Sequence, residues 1–162
     1  MTLCTILGQS EAIKAEVPNA VSQYSSACIT TRMITGDNIV SARVVAQHCG
    51  IISESDQSEN TCMEAREFLE KQKNMSASEL KELASQVKVL ARSTPEAKQA
   101  FVSCLQNSCG RKVAYIGSGT VDAPAMKEAT VSFSCGVAGT DVAKEAGDMM
   151  LMMDSMSDIM GA

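Results

Sequence analysis

Gly117-Ser118-Gly119-Thr120-Val121-Asp122-Ala123-Pro124-Ala125 follows the apolar run Val113-Ala114-Tyr115-Ile116 and precedes a helix-like segment, so it reads as strand, loop and helix start. Glycines flanking a small hydroxyl residue let the backbone turn sharply and expose amides, and Asp122 and Pro124 suit the first turn of a helix. Amides gathered ahead of a helix can hold an anion. The same residues also suit a plain turn.

Two other stretches repeat the pattern. Arg32-Met33-Ile34-Thr35-Gly36-Asp37-Asn38 runs a short apolar strand into a Thr-Gly-Asp loop, and Ile39 to Cys49 continues with helical spacing. Val87-Lys88-Val89-Leu90-Ala91-Arg92 leads through Ser93-Thr94-Pro95-Glu96 into a helix that carries Lys98. Three such units in succession place their loops along one phosphate-handling edge.

Together with Ala97 and with Gly139-Thr140-Asp141-Val142-Ala143-Lys144-Glu145-Ala146, these motifs resemble, in order and at family spacing, the later part of the phosphorylation domain of P-type ATPases. The branch most like it is the calcium pumps of the plasma-membrane kind. The resemblance implies a Rossmann-like, haloacid-dehalogenase-like α/β fold with a mainly parallel sheet and helices on both faces. Residues 1–162 would form a single partial domain with a helical and loop insertion at about 53–86.

In the resembled pumps an aspartate in an Asp-Lys-Thr-Gly motif is phosphorylated by ATP and then hydrolysed, with magnesium neutralising the developing charge. Thr35 and Gly36, with Asp37 in the same loop, match the positions that hold phosphate oxygens, and Lys98 matches the lysine that pairs with the phosphoryl group. The glycine loop departs from the family's Gly-Asp-Gly-Thr-Asn-Asp-Gly-Pro. Gly117, Gly119 and Asp122 are kept, but Ser118 stands for the magnesium-binding aspartate and Val121 for the asparagine. The chain contains no Asp-Lys-Thr-Gly, and Met1 falls beyond the point where the family carries it and the nucleotide-binding domain.

Ser118 lacks the anionic oxygen that a hard cation prefers, and Val121 removes a polar contact beside it. The expectation is therefore no catalytic residue, no metal site and no cofactor. Asp37 would orient its own loop, Arg92 would be a solvated edge residue, His48 would satisfy a helix face, and Gly139 to Ala146 would pack the last helix. The function expected is that of a non-catalytic relic, used as a binding or structural subunit of a larger assembly. The alternative is a fragment of an active or split calcium pump, or a small haloacid-dehalogenase-like phosphatase; magnesium and ATP belong to that alternative.

The resemblance also bears on the sheet. The strand ending at the catalytic aspartate lies between those ending at the Thr-Gly-Asp and glycine loops, and this chain lacks it. Unpaired buried amides cost on the order of 1–3 kcal/mol each, so a gap of several residues threatens a small domain. Either the strands close up, or Thr2 to Leu7 is re-used, or a protein partner donates a strand.

Composition narrows the partners. With 19 acidic against 14 basic residues the net charge is −5, which argues against nucleic acid and anionic lipid. No stretch is long and apolar enough for a membrane helix. The tail Met149-Met150-Leu151-Met152-Met153-Asp154-Ser155-Met156 is broken by Asp154 and Asp158, so its start reads as a buried strand. Seven cysteines, none in a Cys-x-x-Cys pair, and one histidine indicate neither zinc nor disulfides. Buried thiols in a reducing compartment account for them. A soluble intracellular protein is expected, cytoplasmic or on a cytoplasmic assembly.

In chain order the spacing predicts a strand at Thr2 to Leu7, a helix from Glu16-Val17-Pro18 to about Ala27, a strand from Ile29 to Ile34, and a helix from Ile39 to Cys49 with Ile39, Val40, Val44, Val45 and His48 on one face. Short helices follow at Cys62 to Lys73 and Ala77 to Gln86. Then come strand Val87 to Ala91, helix Pro95 to Gln106, strand Val113 to Ile116, helix Ala123 to Ala129, strand Val131 to Phe133, helix Thr140 to Ala146 and strand Asp148 to Met152. The alternation specifies a parallel sheet.

Overall fold

The computed structural model describes residues 4–5, 13–53, 55–56, 58, 60–157 and 159. Strands β1 (Met33–Ile34), β2 (Cys62–Glu64) and β3 (Val89–Ala91) form one sheet in the order β1-β3-β2. Strands β4 (Ala114–Gly117), β5 (Val131–Cys135) and β6 (Met149–Leu151) form another in the order β4-β5-β6. Every pairing is parallel. Parallel neighbours cannot be joined by a tight turn, and the connections are helical. The helices are α1 (Val17–Ser26), α2 (Ile39–His48), α3 (Ala65–Asn74), α4 (Ala77–Gln86), α5 (Pro95–Asn107), α6 (Ala123–Glu128) and α7 (Asp141–Ala146). No described helix is long and apolar enough to cross a membrane.

Short polar side chains start the helices by accepting orphan amides of the first turn. Asn38 accepts from the Ser41 N–H at 2.9 Å, Thr94 from Ala97 at 3.3 Å and Thr140 from Ala143 at 3.3 Å. Ser76 and Glu79 form a reciprocal capping box at α4.

β3 shows why the first sheet needs helices on both faces. Val89, Leu90 and Ala91 are all fully buried, as expected of a central parallel strand. Val89 and Ala91 pack with Ala42 and Ala46 of α2, whereas Leu90 packs with Phe68 of α3, Leu83 of α4 and Phe101 of α5. A third cluster joins Val102 of α5 to Tyr115, Ala125, Met126 and Ala143. Adjacent residues of α5, Phe101 and Val102, thus belong to different cores.

β1 ends the first sheet and β4 ends the second, and among the described residues no strand pairs with the free side of either. The strands have not closed up. The suggested strand Thr2 to Leu7 lies outside the described residues apart from Cys4 and Thr5, which have no regular structure.

Three local expectations are corrected. The strand expected from Ile29 shrinks to Met33–Ile34, because Cys28 takes a positive φ of 61° and the Ile29 amide donates back to the Tyr24 carbonyl at 2.9 Å. Cys62–Glu64 is a strand rather than a helix start. The Thr61 carbonyl accepts from Lys88 and Val89 amides at 2.9 and 3.0 Å, and this ladder overrides helical periodicity. On α2 the buried face is Ala42 and Ala46, not Val40, Val44 and His48, which are exposed. Alanines let the helix lie close against β3.

Phe68 is fully buried, its ring edge-on to Phe101 with centroids 5.1 Å apart. Phe68→Ala is expected to lower stability by about 3–5 kcal/mol in urea denaturation. A Cβ at Gly139 would lie 1.9 Å from the Cys135 carbonyl oxygen, whereas one at Gly36 would meet nothing within 4 Å. Gly139→Ala is therefore expected to cost at least about 1–3 kcal/mol, with Gly36→Ala nearly neutral, by the same urea denaturation.

Candidate functional site

The loops after β1 and β3 are joined through their backbones, and a lysine side chain ties the loop after β4 to them. Ser93 donates its N–H to the Thr35 carbonyl at 2.9 Å, and Arg92 donates to Asp37 at 2.8 Å. Thr94 then caps α5, and one turn later Lys98 reaches the loop after β4. On the far side the Thr140 amide donates to the Ser118 carbonyl at 2.8 Å, so the segment from Gly139 also holds that loop in place.

Asp122 is the hub. Its Oδ1 accepts from Lys98 Nζ at 2.7 Å and from the Tyr115 hydroxyl at 3.0 Å. Its Oδ2 accepts from the Ser118 and Gly119 amides at 3.2 and 3.0 Å. Both members of the ion pair are buried, Lys98 at 7% and Asp122 at 9% exposure. Burial pushes the Asp122 carboxyl up. The bond from Lys98, the Gly119 amide, the Lys98 charge and the Tyr115 hydroxyl together outweigh it and hold Asp122 below its ordinary value. Burial, followed by the charge and bond of Asp122, pushes Tyr115 upward, so it remains a neutral donor.

The glycine loop is thereby turned inward. The amides of Ser118 and Gly119, which the sequence offered to an anion, are donated to Asp122. Gly117 is required by close approach and not by its φ, since a Cβ there would lie 2.7 Å from Met126 Sδ and 2.8 Å from Asp122 Cβ. Val121 is half exposed and Ser118 exposed, and neither side chain carries a charge.

The β1 loop is likewise engaged with itself. The Thr35 hydroxyl donates to Asp37 Oδ2 at 2.8 Å and accepts from the Asp37 amide at 3.1 Å, while Gly36 is exposed. Arg92 forms an exposed ion pair with Glu64 at 3.0 Å, and His48 is exposed on α2. Among the described residues there is no group of three or more His, Cys, Asp or Glu that could hold a metal ion. The donor set does not suit magnesium: Ser118 supplies no carboxylate, and the one carboxylate of the loop already has an ammonium and three neutral donors.

Sequence reasoning missed Tyr115 at this edge and Arg32 at the opposite end, where β1 begins. Tyr115 could have been found, because alternation along β4 turns Tyr115 and Gly117 inward and leaves Ala114 and Ile116 outward. Arg32 had no such signal. Its guanidinium donates to the carbonyls of Ala84, Val87 and Ser85, at 2.9 Å to Ala84 and 3.1 Å to Ser85, and lies 6.0 Å from the Phe101 ring centroid.

Removing one partner of a buried pair leaves an uncompensated charge. Asp122→Ala is expected to cost about 3–5 kcal/mol, and Lys98→Met/Asp122→Ala markedly less than the sum of the single changes. Because the folded Asp122 sits below its ordinary 3.8, its contribution is present above that value and is lost as pH falls through the lower folded one. Urea midpoints measured from pH 7 down to 3 are expected to fall less steeply in the double variant.

No family model matches the chain. It is 44% identical over 162 residues to Calcium-transporting ATPase 2 of Schizosaccharomyces pombe, an alignment covering 100% of the chain and 12% of that protein. It is 38% identical over 170 residues to Plasma membrane calcium-transporting ATPase 4 of Homo sapiens, covering 100% of the chain and 14% of that protein. Its fold matches the crystal structure of a zinc-transporting PIB-type ATPase in the E2.Pi state, with a TM-score of 0.67 over 94% of the chain and 19% of that structure. At 23% identity that match establishes the fold alone. Along its whole length the chain is similar to one segment of calcium-transporting P-type ATPases, and it spans only about an eighth of the length of those proteins.

Proposed function

We propose that this chain is a non-catalytic derivative of the pump phosphorylation domain that serves as a binding or structural subunit of a larger cytoplasmic assembly. The observation that carries this reading is the saturation of Asp122, whose two oxygens accept from Lys98, Tyr115, Ser118 and Gly119. Phosphoryl transfer needs a nucleophile, a cation held near the phosphate, and donors aimed at the transferring oxygens. Here Ser118 stands at the cation position, Lys98 is bonded to Asp122, and the loop amides point at the same carboxylate. The edge is a closed network that stabilises the seam between the two sheets.

A second reading keeps the chain as one piece of an active or split calcium pump, or as a small phosphatase. The observation favouring it is that Thr35 and Lys98 are retained and that their loops meet at one edge. In that case a nucleophile and a magnesium ligand come from elsewhere.

Magnesium titration followed by calorimetry separates the two. The chain is expected to show no saturable binding at millimolar magnesium and no hydrolysis of ATP or acetyl phosphate. Ser118→Asp/Val121→Asn is expected to gain at least about tenfold in magnesium affinity, roughly 1.4 kcal/mol. Turnover by the unaltered chain sinks the non-catalytic reading. A double variant that gains no affinity sinks the placement of the cation position at Ser118.

A further inference from the structure

Five of the chain's 11 methionines lie between residues 149 and 156, on β6 and just after it. The run expected as a buried strand is a strand, but its methionines are open to solvent. Met149 and Met150 on β6, with Met152 and Met153 beyond it, are between 41% and 76% exposed, and only Leu151 among them is buried. Among the described residues none of the four belongs to an apolar core, and no strand pairs with the free side of β6. Met63 and Met126 are the opposite case, each 1% exposed within a core.

The backbone that carries these four side chains is held at both ends. Phe133, Ser134 and Cys135 pair with Met149, Met150 and Leu151, and the Gly136 amide donates to the Leu151 carbonyl at 2.8 Å. Before the run, Asp148 accepts from the Ser132 amide and hydroxyl at 2.8 and 2.9 Å. After it, Asp154 accepts from the Val137 and Ala138 amides at 3.1 and 2.6 Å. None of these bonds uses a thioether, so the four sulfurs can change chemically while the ladder stays intact. A thioether sulfur gives its lone pair to one oxygen of a peroxide. The S–O bond forms as the O–O bond breaks, the departing hydroxide takes the proton from the transferred oxygen, and water leaves. Sulfur loses two electrons and the peroxide gains them, and the sulfoxide is polar where the thioether was apolar. Met126 has no such freedom: its Sδ packs so close over Gly117 that a Cβ there would lie 2.7 Å away, which leaves no room for an added oxygen on that side.

We propose that Met149, Met150, Met152 and Met153 form a reversible oxidation site. They take oxygen from a peroxide-class, two-electron oxidant ahead of the other described methionines, without loss of the fold, and so turn the free edge of the second sheet from apolar to polar. A methionine sulfoxide reductase reverses the change, releasing the oxygen as water while a dithiol is oxidised to a disulfide. The proposal is independent of the reading of the glycine-loop edge and holds whether or not the chain turns over.

The test treats the full chain with hydrogen peroxide at neutral pH and follows each methionine by peptide mapping and mass spectrometry. The four sulfoxides are expected to form at least about tenfold faster than those at Met63 and Met126. In urea that difference is expected to vanish, which shows that folding supplies the protection. The urea midpoint of the oxidised chain is expected to match that of the untreated one, and its retention on a hydrophobic-interaction column to fall. Methionine sulfoxide reductases with dithiothreitol are expected to restore the retention. A Met149→Leu/Met150→Leu/Met152→Leu/Met153→Leu variant carries the same cysteines, so its retention after peroxide is expected to stay put. Oxidation of Met63 or Met126 in the folded chain at the rate of the four overturns the proposal. So does a lowered urea midpoint after oxidation, an unchanged retention, or the same loss of retention in the leucine variant.

Discussion

Two sheets that share no ladder among the described residues must be held together by something other than backbone pairing, and here that is chiefly α5. The helix places Phe101 in the core of the first sheet and Val102 in that of the second. One turn before them, Lys98 makes the 2.7 Å bond to Asp122 in the loop of the second sheet. Because that pair is buried, its worth depends on every lone pair being met, and the Tyr115 hydroxyl and two amides complete the set. Apolar packing supplies the adhesion, and the polar ring fixes the register in which the sheets sit.

The same ring commits the donors and acceptors of the glycine loop to one another. A carboxylate that serves a cation must keep an oxygen free for it. Asp122 has none to spare, and Ser118 beside it brings no charge. Lys98 is paired with Asp122, and Tyr115, set inward by the pleat of β4, adds a donor that the glycine loop alone did not reveal.

Much of the α/β alternation was legible because its signals are local. Asn38, Ser76, Thr94 and Thr140 each stand where a cap is needed, and the buried run at β3 announces a central strand. The misreadings came where partners decide. Cys62–Glu64 became a strand because the Thr61 carbonyl met the amides of Lys88 and Val89, far along the chain. The inward face of α2 was set by the closeness of β3, which favours Ala42 and Ala46 over the larger Val40 and Val44. At the site, Thr35, Lys98 and Asp122 could be named from the family resemblance, but a resemblance is silent on where a proton points. Only geometry shows that Thr35 bonds Asp37 and that the loop amides serve Asp122.

The seam between β1 and β4 also has a kinetic side. The first sheet draws its strands from residues 33–91 and the second from 114–151, so each is assembled from contacts close in sequence, with α5 as the hinge between them. Units of this kind open and close as separate foldons, and neither half has a ladder through which to pass its order to the other. In such a chain cooperativity between the halves depends on α5 and on the hydrogen bonds that join Lys14, Glu16 and Tyr24 to Asp154, Ser155 and Met156.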